Sequence, residues 1–445
     1  MQSKHKPELI TASDWLQRLV NVEAGEVRAL FWAFSYFFAL LCSYYILRPL
    51  RDEMGIAGGV ENLQWLFTGT FIAMLAMVPL FGWITSRYPH TAFLPLVYVF
   101  FIVNLLLFYI LFNTEFAIAW IARAFFIWVS VFNLFVVSVF WSFMSDTFSN
   151  RQARRLFGFI AAGGTAGALV GPMLTTLLVK PLGTENLLLF SSALLGWALL
   201  CIHRLTKWRA TQDSSTTLAS ALPAAPLGGS VLAGIRLVLQ SPYLLGIALL
   251  MLLFTTLATF LYFQQAQIIR DAFAESTQRT AIFAAIDLSV NTLTVVIQLL
   301  LTGRLVRWLG LSWTLALVPL LLGFGFVALA LSPVLAVLVV VQVVRRAGNY
   351  AIMRPSREML YVILEREEKY KAKNFIDTAV YRGGDAVSAW IYTGLRGLGL
   401  GLSGIAWIAV LLSALWALLA YRLGREQDRL AQARSQSAEN NDSGS

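Results

Sequence analysis

Two adjacent arginines lie inside a long apolar segment, 333–353, where a charged side chain is least expected. Arg345 and Arg346 fall near the middle of this segment. A charge at that depth in a bilayer costs about 2.5–3.5 kcal/mol on insertion scales, so such a residue usually serves a solute path or a charge partner. Gln342 and Asn349 continue the same helical face at three- and four-residue spacing. We expect these four side chains to contact a small solute.

Three other apolar segments carry charged or amide side chains. These are Arg123 and Asn133 in 116–144, Asp287 in 281–301, and Arg382 with Asp385 in 376–395. The two aspartates are candidate partners for the arginines or carriers of a coupling proton. The alternative for Arg382 and Asp385 is an ion pair with each other, since three residues separate them on one helix.

The first apolar segment ends in a cluster of charges that includes Arg48, Arg51 and Asp52. Arginine outnumbers carboxylate among all these groups, which favours an anionic solute because the planar guanidinium binds two oxygens at once. The predicted substrate contacts are Arg48, Arg51, Arg123, Asn133, Gln342, Arg345, Arg346 and Asn349. The predicted charge partners or proton-coupling residues are Asp52, Asp287, Arg382 and Asp385.

The elements that position these residues are transmembrane helices. Hydrophobic residues make up 58% of the 445 residues and charged residues only 13%, and many apolar runs reach the ~20 residues that a helix needs to cross a bilayer. The sequence predicts an all-α integral membrane protein with twelve spans. They are 29–47, 64–84, 91–112, 116–144, 157–179, 187–205, 243–263, 281–301, 311–331, 333–353, 376–395 and 402–423.

The basic residues between the spans predict the orientation. With residue 1 in the cytoplasm, the cytoplasmic segments together with the cytoplasmic ends of the spans hold 24 Lys and Arg, and the outer loops hold 6. The six are Arg48, Arg51, Lys180, Arg270, Arg279 and Arg396. Cytoplasmic loops carry the excess of Lys and Arg, so both termini are predicted to be cytoplasmic. This asymmetry also accounts for the net charge of +10 without a nucleic-acid partner.

The spans divide into two groups of six around a polar segment. We predict a cytoplasmic N-terminal segment 1–28, a six-helix bundle 29–205, a cytoplasmic linker 206–240, a second six-helix bundle 241–424 and a cytoplasmic tail 425–445. In the fifth span, Gly163, Gly167, Gly171 and Pro172 form a doubled GxxxG face. This face predicts either a conformational hinge or close helix packing.

Cysteine and histidine usage argues against an enzyme. The sequence has two cysteines, both in apolar runs, and three histidines, all in the N-terminal segment or at span ends. We therefore predict no metal, no cofactor and no catalytic residue.

Two six-helix halves joined by a long linker resemble the major facilitator fold. Residues 82–87 and 303–310 resemble the loop signature of that superfamily, although its usual aspartate is missing. Residues 45–52 (Tyr-Ile-Leu-Arg-Pro-Leu-Arg-Asp), 145–158 and 354–385 resemble the ATP/ADP translocases of plastids and obligate intracellular bacteria. Arg48 and Asp52 match the first-helix motif of that family directly, and Arg51 stands where the family has a phosphate-binding lysine. The resemblance implies nucleotide exchange in a bacterial inner membrane.

The sequence thus predicts a monomeric secondary transporter of an organic anion, with alternating access around an arginine-lined site. ATP/ADP exchange is one option for its activity. The alternatives are proton-coupled transport of another phosphorylated or carboxylated metabolite, and a flippase for anionic lipid. A drug exporter would be expected to have a net acidic cavity. A sensor would need a folded soluble domain, and the longest polar insert is the linker 206–240.

Overall fold

The computed structural model describes residues 22–23, 25–87, 90–114, 117–213 and 231–442, and the regular elements within these ranges are all helical. The first six helices are α1 (Val27–Ala57), α2 (Leu63–Arg87), α3 (His90–Phe112), α4 (Ile118–Thr147), α5 (Asn150–Leu182) and α6 (Leu187–Asp213). The next five are α7 (Val231–Gln240), α8 (Pro242–Ala272), α9 (Ser276–Leu300), α10 (Thr302–Leu331) and α11 (Leu335–Gly348). The last four are α12 (Arg354–Leu360), α13 (Arg366–Phe375), α14 (Tyr381–Gly397) and α15 (Leu402–Asp442).

Short stretches of other helix types join some of these elements. A 3₁₀ turn, Val60–Asn62, precedes α2, and π-helical turns Asn349–Met353 and Ile376–Val380 precede α12 and α14. The first π turn begins three residues after Arg346. Such turns inside long helices occur often at functional sites.

The predicted fold class is confirmed. Ten helices of the described residues are long and apolar enough to cross a membrane. The two other predicted spans also lie on helix: 64–84 falls on α2, and 376–395 falls on a π turn followed by α14. Because helical spacing buries one stripe against neighbours and leaves the rest to lipid, large exposed apolar side chains are abundant on these helices.

The helices extend beyond the predicted spans, which corrects one part of the sequence interpretation. All six basic residues assigned to outer loops lie on helices: Arg48 and Arg51 on α1, Lys180 on α5, Arg270 on α8, Arg279 on α9 and Arg396 on α14. Likewise, residues 303–310, predicted as a loop, belong to α10, which is interrupted only at Gly310 with φ of 72°. Hydropathy marks the apolar part of a helix, whereas arginine and lysine are good helix formers and allow the helix to continue.

The contacts between residues define two compact units. The first comprises the described residues within 1–51, 75–121 and 128–222. In it, α1 packs against α3 through Tyr36 and Tyr98, whose hydroxyls lie 2.6 Å apart, and against α6 through Ser43 and Ser191, also 2.6 Å apart. These pairs satisfy polar groups that neither lipid nor an apolar neighbour could satisfy.

The second unit comprises residues 52–74, 122–127 and 223–445. Its apolar core contains the fully buried Trp416 of α15, Phe260 of α8 and Phe326 of α10. Packed around this core, α8 contacts α14 and α15, and α9 contacts α11. This unit therefore holds α9, α11 and α14, the three helices that carry Asp287, Arg345, Arg346 and Asp385.

The predicted division into two six-helix bundles remains a prediction. Linker residues 214–230 lie outside the described ranges, as do residues 1–21 and 24 of the N-terminal segment and residues 443–445 of the tail. The side chains of 81–86, in the first predicted loop signature, are also outside the description. Within the predicted tail, residues 425–442 continue α15 as helix.

Candidate functional site

The second of the two adjacent arginines forms a buried ion pair. Arg346 of α11 places Nη2 2.5 Å from Oδ1 of Asp287 on α9, and the two side chains are only 8% and 2% exposed. Water screens such a pair weakly, so the carboxylate balances the arginine charge inside the unit. Asp287 is therefore the ion-pair partner of Arg346.

The first arginine has a different environment. Arg345 is half-buried, and its Nε and Nη2 donate to Oε1 of Gln342 at 3.0 and 2.8 Å. Gln342 is buried and in turn donates through Nε2 to Oε1 of Gln265, a buried residue of α8. Both donors of the guanidinium meet one amide oxygen, so this contact orients the group through hydrogen bonds.

Sequence reasoning missed Gln265. The signal was present, because Gln264 and Gln265 are adjacent amides just past the end of the predicted span 243–263. Both are buried, and Gln264 donates to the carbonyl of Leu402 at 3.2 Å. Buried amides must be hydrogen-bonded, which is the reason that both have partners on neighbouring helices.

The polar stripe of α9 runs from Asp287 toward the π turn that follows α11. Asn291 is buried one turn beyond Asp287, and Gln298 donates to the carbonyl of Tyr350 at 3.4 Å. Asn349 begins this π turn and is half-buried. Predicted contacts Gln342, Arg345, Arg346 and Asn349 thus lie on one continuous helical stretch.

The ion pair on α14 is longer and more exposed than the pair of Arg346 and Asp287. Arg382 Nη1 lies 3.7 Å from Asp385 Oδ2, and the side chains are 35% and 19% exposed. Asp385 also accepts a long hydrogen bond of 3.5 Å from Thr259 of α8, while the Arg382 guanidinium lies 5.0 Å from the ring of Tyr381. The structure therefore contains the i, i+3 pair that was one of the two alternatives for these residues.

The end of α1 carries the charged motif of residues 45–52. In the first unit, Arg48 is half-buried and its guanidinium lies 5.8 Å from the ring of Tyr45, while Arg51 is also half-buried. In the second unit, Asp52 is buried and accepts from the hydroxyl of Tyr262 at 3.1 Å. The helix continues through Pro49, which contributes no N–H donor to the backbone hydrogen bonds.

A buried ion pair that the sequence did not predict joins α1 to α9 within the second unit. Glu53 is fully buried, and its two oxygens accept from Arg279 Nε and Nη2, each at 2.7 Å. Arg279 Nη1 also donates to the carbonyls of Phe273 and Ala274 at 3.1 and 2.8 Å. This two-point, charge-assisted geometry is the strongest type of side-chain ion pair.

The two predicted contacts on α4 belong to different units. Arg123, in the second unit, donates through Nε to the carbonyl of Gly58 at 2.9 Å, just past the end of α1. A cation at a helix C-terminus satisfies a carbonyl that lacks a helical partner and opposes the negative end of the helix dipole. Asn133, in the first unit, is half-buried.

The glycine face of α5 packs against α1 in the first unit. A Cβ atom on Gly167 would lie 2.4 Å from the backbone oxygen of Phe38, and one on Gly163 would lie 2.5 Å from that of Phe34. Gly171 is similarly close to the backbone of Cys42, at 2.7 Å. Only glycine permits this backbone-to-backbone approach. Pro172, the next residue after this face, is buried inside α5.

The residues that resemble the translocase loop form charged contacts near α12 and α13. Arg357 pairs with Asp377 at 3.2 Å, and Lys373 pairs with Glu358 at 2.5 Å. Burial raises the pKa of the neighbouring Tyr361 hydroxyl, so this group stays neutral at physiological pH. Among the described residues, no three His, Cys, Asp or Glu side chains are grouped so that they could hold a metal ion.

Comparison with known protein families agrees with the helical membrane fold. The family model described as Major Facilitator Superfamily matches residues 29–356. The chain therefore belongs to the major facilitator superfamily and is a multi-pass membrane transporter. The solved structures described below are also those of transporters, and they share the fold at low sequence identity.

Three relatives illustrate this assignment. "ADP,ATP carrier protein 1" of Chlamydia muridarum is 22% identical over 442 residues, covering 84% of this chain and 83% of that protein. The nucleoside transporter NupG has a TM-score of 0.63 at 14% identity, over 90% of this chain and 98% of that one. A bacterial homologue of the human lysosomal transporter Spinster has a TM-score of 0.59 at 12% identity, over 92% and 99%. The carrier from Chlamydia agrees with the resemblance found in the sequence.

Proposed function

We propose that this transporter moves an organic anion across a bacterial inner membrane, with ATP/ADP exchange as its first candidate activity. The observation that carries the proposal is the arrangement at Arg345 and Arg346. One guanidinium is paired with Asp287 in the interior, while its neighbour is oriented by an amide at a half-buried position. A fixed guanidinium suits an oxyanion ligand, since it offers two parallel N–H donors.

The named relatives support a nucleotide as the first anion to test. One is a carrier of ADP and ATP by its name, and another is NupG, a nucleoside transporter. The mechanism is alternating access, in which the two halves rock around a central site. Arg48, Arg51 and Arg123 are further proposed contacts of the anion, with Asn133, Gln342 and Asn349 orienting it. Asp52, Asp287, Arg382 and Asp385 are proposed charge partners or proton-coupling residues.

We also propose an orientation, an oligomeric state and a role for the glycine face of α5. Both termini are cytoplasmic, as the distribution of Lys and Arg indicates, and the protein acts as a monomer. The glycine face of α5 provides a smooth contact along which α1 shifts during the cycle. That role is compatible with its tight packing, because small residues allow close approach without interlocking side chains.

The test is ADP uptake into proteoliposomes, with and without ATP inside, in wild type and in Arg345→Ala. Uptake is expected to require internal nucleotide. Loss of a charge-assisted bond of roughly 1.5–3 kcal/mol raises the KM for ADP about tenfold to hundredfold. Arg304→Ala, which removes an exposed arginine of α10, is the matched control and should leave KM unchanged.

The outcome distinguishes the proposal from its rivals. Absence of ADP uptake by folded wild-type protein would refute nucleotide exchange. Uptake of another phosphorylated or carboxylated anion driven by an imposed pH gradient would then establish proton coupling. Equal KM values for wild type and Arg345→Ala would remove Arg345 from the binding site.

A further inference from the structure

Three side chains form a hydrogen-bonded chain from the interior of the second unit to a guanidinium. Gln265 on α8 is 2% exposed and accepts from the Nε2 of Gln342 on α11, which is also 2% exposed. Gln342 then accepts from the Nε and Nη2 of Arg345 at 3.0 and 2.8 Å. The chain thus runs from two buried amides to a half-buried cation.

The direction of these bonds determines which edge of the guanidinium is held. Nε and Nη2 form the side edge of Arg345, and both point at a single oxygen of Gln342. This contact fixes the plane of the group and the direction of its end edge, which is formed by Nη1 and Nη2. An end edge binds two oxygens of a carboxylate or phosphate when its plane is fixed beforehand.

Gln265 in turn fixes Gln342. A glutamine side chain rotates about three bonds, and its oxygen and nitrogen ends are nearly equal in shape. The bond from Nε2 of Gln342 to Gln265 commits the nitrogen end to α8, so the oxygen end must face Arg345. Without the acceptor on Gln265, Gln342 loses the contact that selects this orientation.

Packing alone does not require amides at these positions. Buried polar pairs can often be replaced by apolar residues of similar shape at little cost to stability. A fully hydrogen-bonded chain of buried amides that ends at a cation instead holds this cation in a defined orientation, as a ligand-binding group requires.

We propose that Gln265 is a positioning residue for an oxyanion ligand, acting through Gln342 on Arg345. The inference rests on the proposed function, because it assumes that Arg345 contacts the transported anion. Gln265 does not itself touch the anion. It raises the affinity of the site for the anion and leaves the maximal rate of transport unchanged.

The experiment measures KM and maximal rate for ADP exchange in proteoliposomes. Gln265→Leu is expected to raise KM roughly two- to tenfold, the loss of one hydrogen bond's contribution, while the maximal rate per folded transporter stays within about twofold. Gln264→Leu is the matched control, because it removes the neighbouring buried amide, whose partner is the Leu402 carbonyl. Its KM should equal that of wild type.

A double substitution protects the test against misfolding. Gln265→Leu together with Gln342→Leu leaves neither amide unpaired, so it should fold and show a similar or larger rise in KM. In an Arg345→Ala background, Gln265→Leu should add no further rise, since the residue that it positions is gone.

The possible results separate the two proposals. A KM change from Gln265→Leu that persists in the Arg345→Ala background, or that Gln264→Leu reproduces, would show a structural role and overturn the inference. An unchanged KM in Gln265→Leu beside a raised KM in Arg345→Ala would overturn the inference alone. Failure of folded wild type to exchange ADP, or an unchanged KM in Arg345→Ala, would remove the proposed site together with the inference.

Discussion

Substitution of Asp287 by asparagine removes the carboxylate that balances the buried guanidinium of Arg346. The two side chains are 2% and 8% exposed, so water cannot take over the role of the lost charge. Breaking a buried pair by removal of one partner costs roughly 3–5 kcal/mol. We expect Asp287→Asn to lower the free energy of unfolding by an amount in this range.

A double-mutant cycle isolates the interaction from other effects of the substitution. Arg346→Gln combined with Asp287→Asn removes both charges, and its destabilisation should be smaller than that of Asp287→Asn alone. The coupling energy is expected to be about 3 kcal/mol. The assay is equilibrium unfolding in mixed detergent micelles, followed by tryptophan fluorescence, with ADP exchange measured after the same protein is reconstituted into proteoliposomes.

The pair on α14 is the matched control cycle. Arg382 and Asp385 are 3.7 Å apart and 35% and 19% exposed, so solvent screens their attraction. Exposed pairs at helical spacing contribute below about 1 kcal/mol. The coupling energy of Arg382→Gln with Asp385→Asn should therefore be well below that of the buried pair.

Two results would refute this reasoning. Equal coupling energies in the two cycles would show that burial does not strengthen the pair of Asp287 and Arg346. Unchanged stability in Asp287→Asn, accompanied by a shifted pH profile of transport, would show that Asp287 carries a proton rather than balancing Arg346.

The glycine face and the end of α1 give two further predictions. Gly167→Ala places a Cβ 2.4 Å from the Phe38 oxygen, so α1 and α5 must separate, and thermal unfolding of the purified protein should show a loss of stability of about 1–3 kcal/mol. Gly158→Ala is the control, because a Cβ there has no atom within 4 Å, and its stability should equal or slightly exceed that of wild type. Greater destabilisation by Gly158→Ala than by Gly167→Ala would contradict the packing argument. Glu53→Gln removes the charge of a fully buried, two-point contact and should destabilise by roughly 3–5 kcal/mol, while Arg279→Lys, which keeps the charge but loses the fork, should cost less in the same assay.

The helical architecture was predictable because hydropathy is a local property. Each predicted span needed only about 20 apolar residues in a row, and each falls on helix in the structure. The ends of the helices were less predictable. Arg48, Arg51 and Arg279 lie on helices rather than in outer loops, because a helix does not stop where its apolar part stops.

The candidate site was predictable only in its residue types. Arg345 and Arg346 stood out because charges are costly within an apolar segment, but neighbouring positions in a sequence cannot show which side chains each one contacts. The structure assigns Asp287 to Arg346 and Gln342 to Arg345. The difference arises from the helical rotation of about 100° between successive residues, which sends adjacent side chains toward different neighbours.

The sequence by itself determined that this protein crosses the membrane on helices and carries an excess of arginine inside its spans. Only the tertiary structure decided the partners: Glu53 with Arg279, 226 positions apart, and Gln265 with Gln342, 77 positions apart. The physical reason is the distance along the chain over which each effect acts. Hydropathy and helix propensity can be evaluated within one continuous stretch of about 20 residues, whereas a hydrogen bond or ion pair depends on which helices pack together, and that packing is a property of the whole chain.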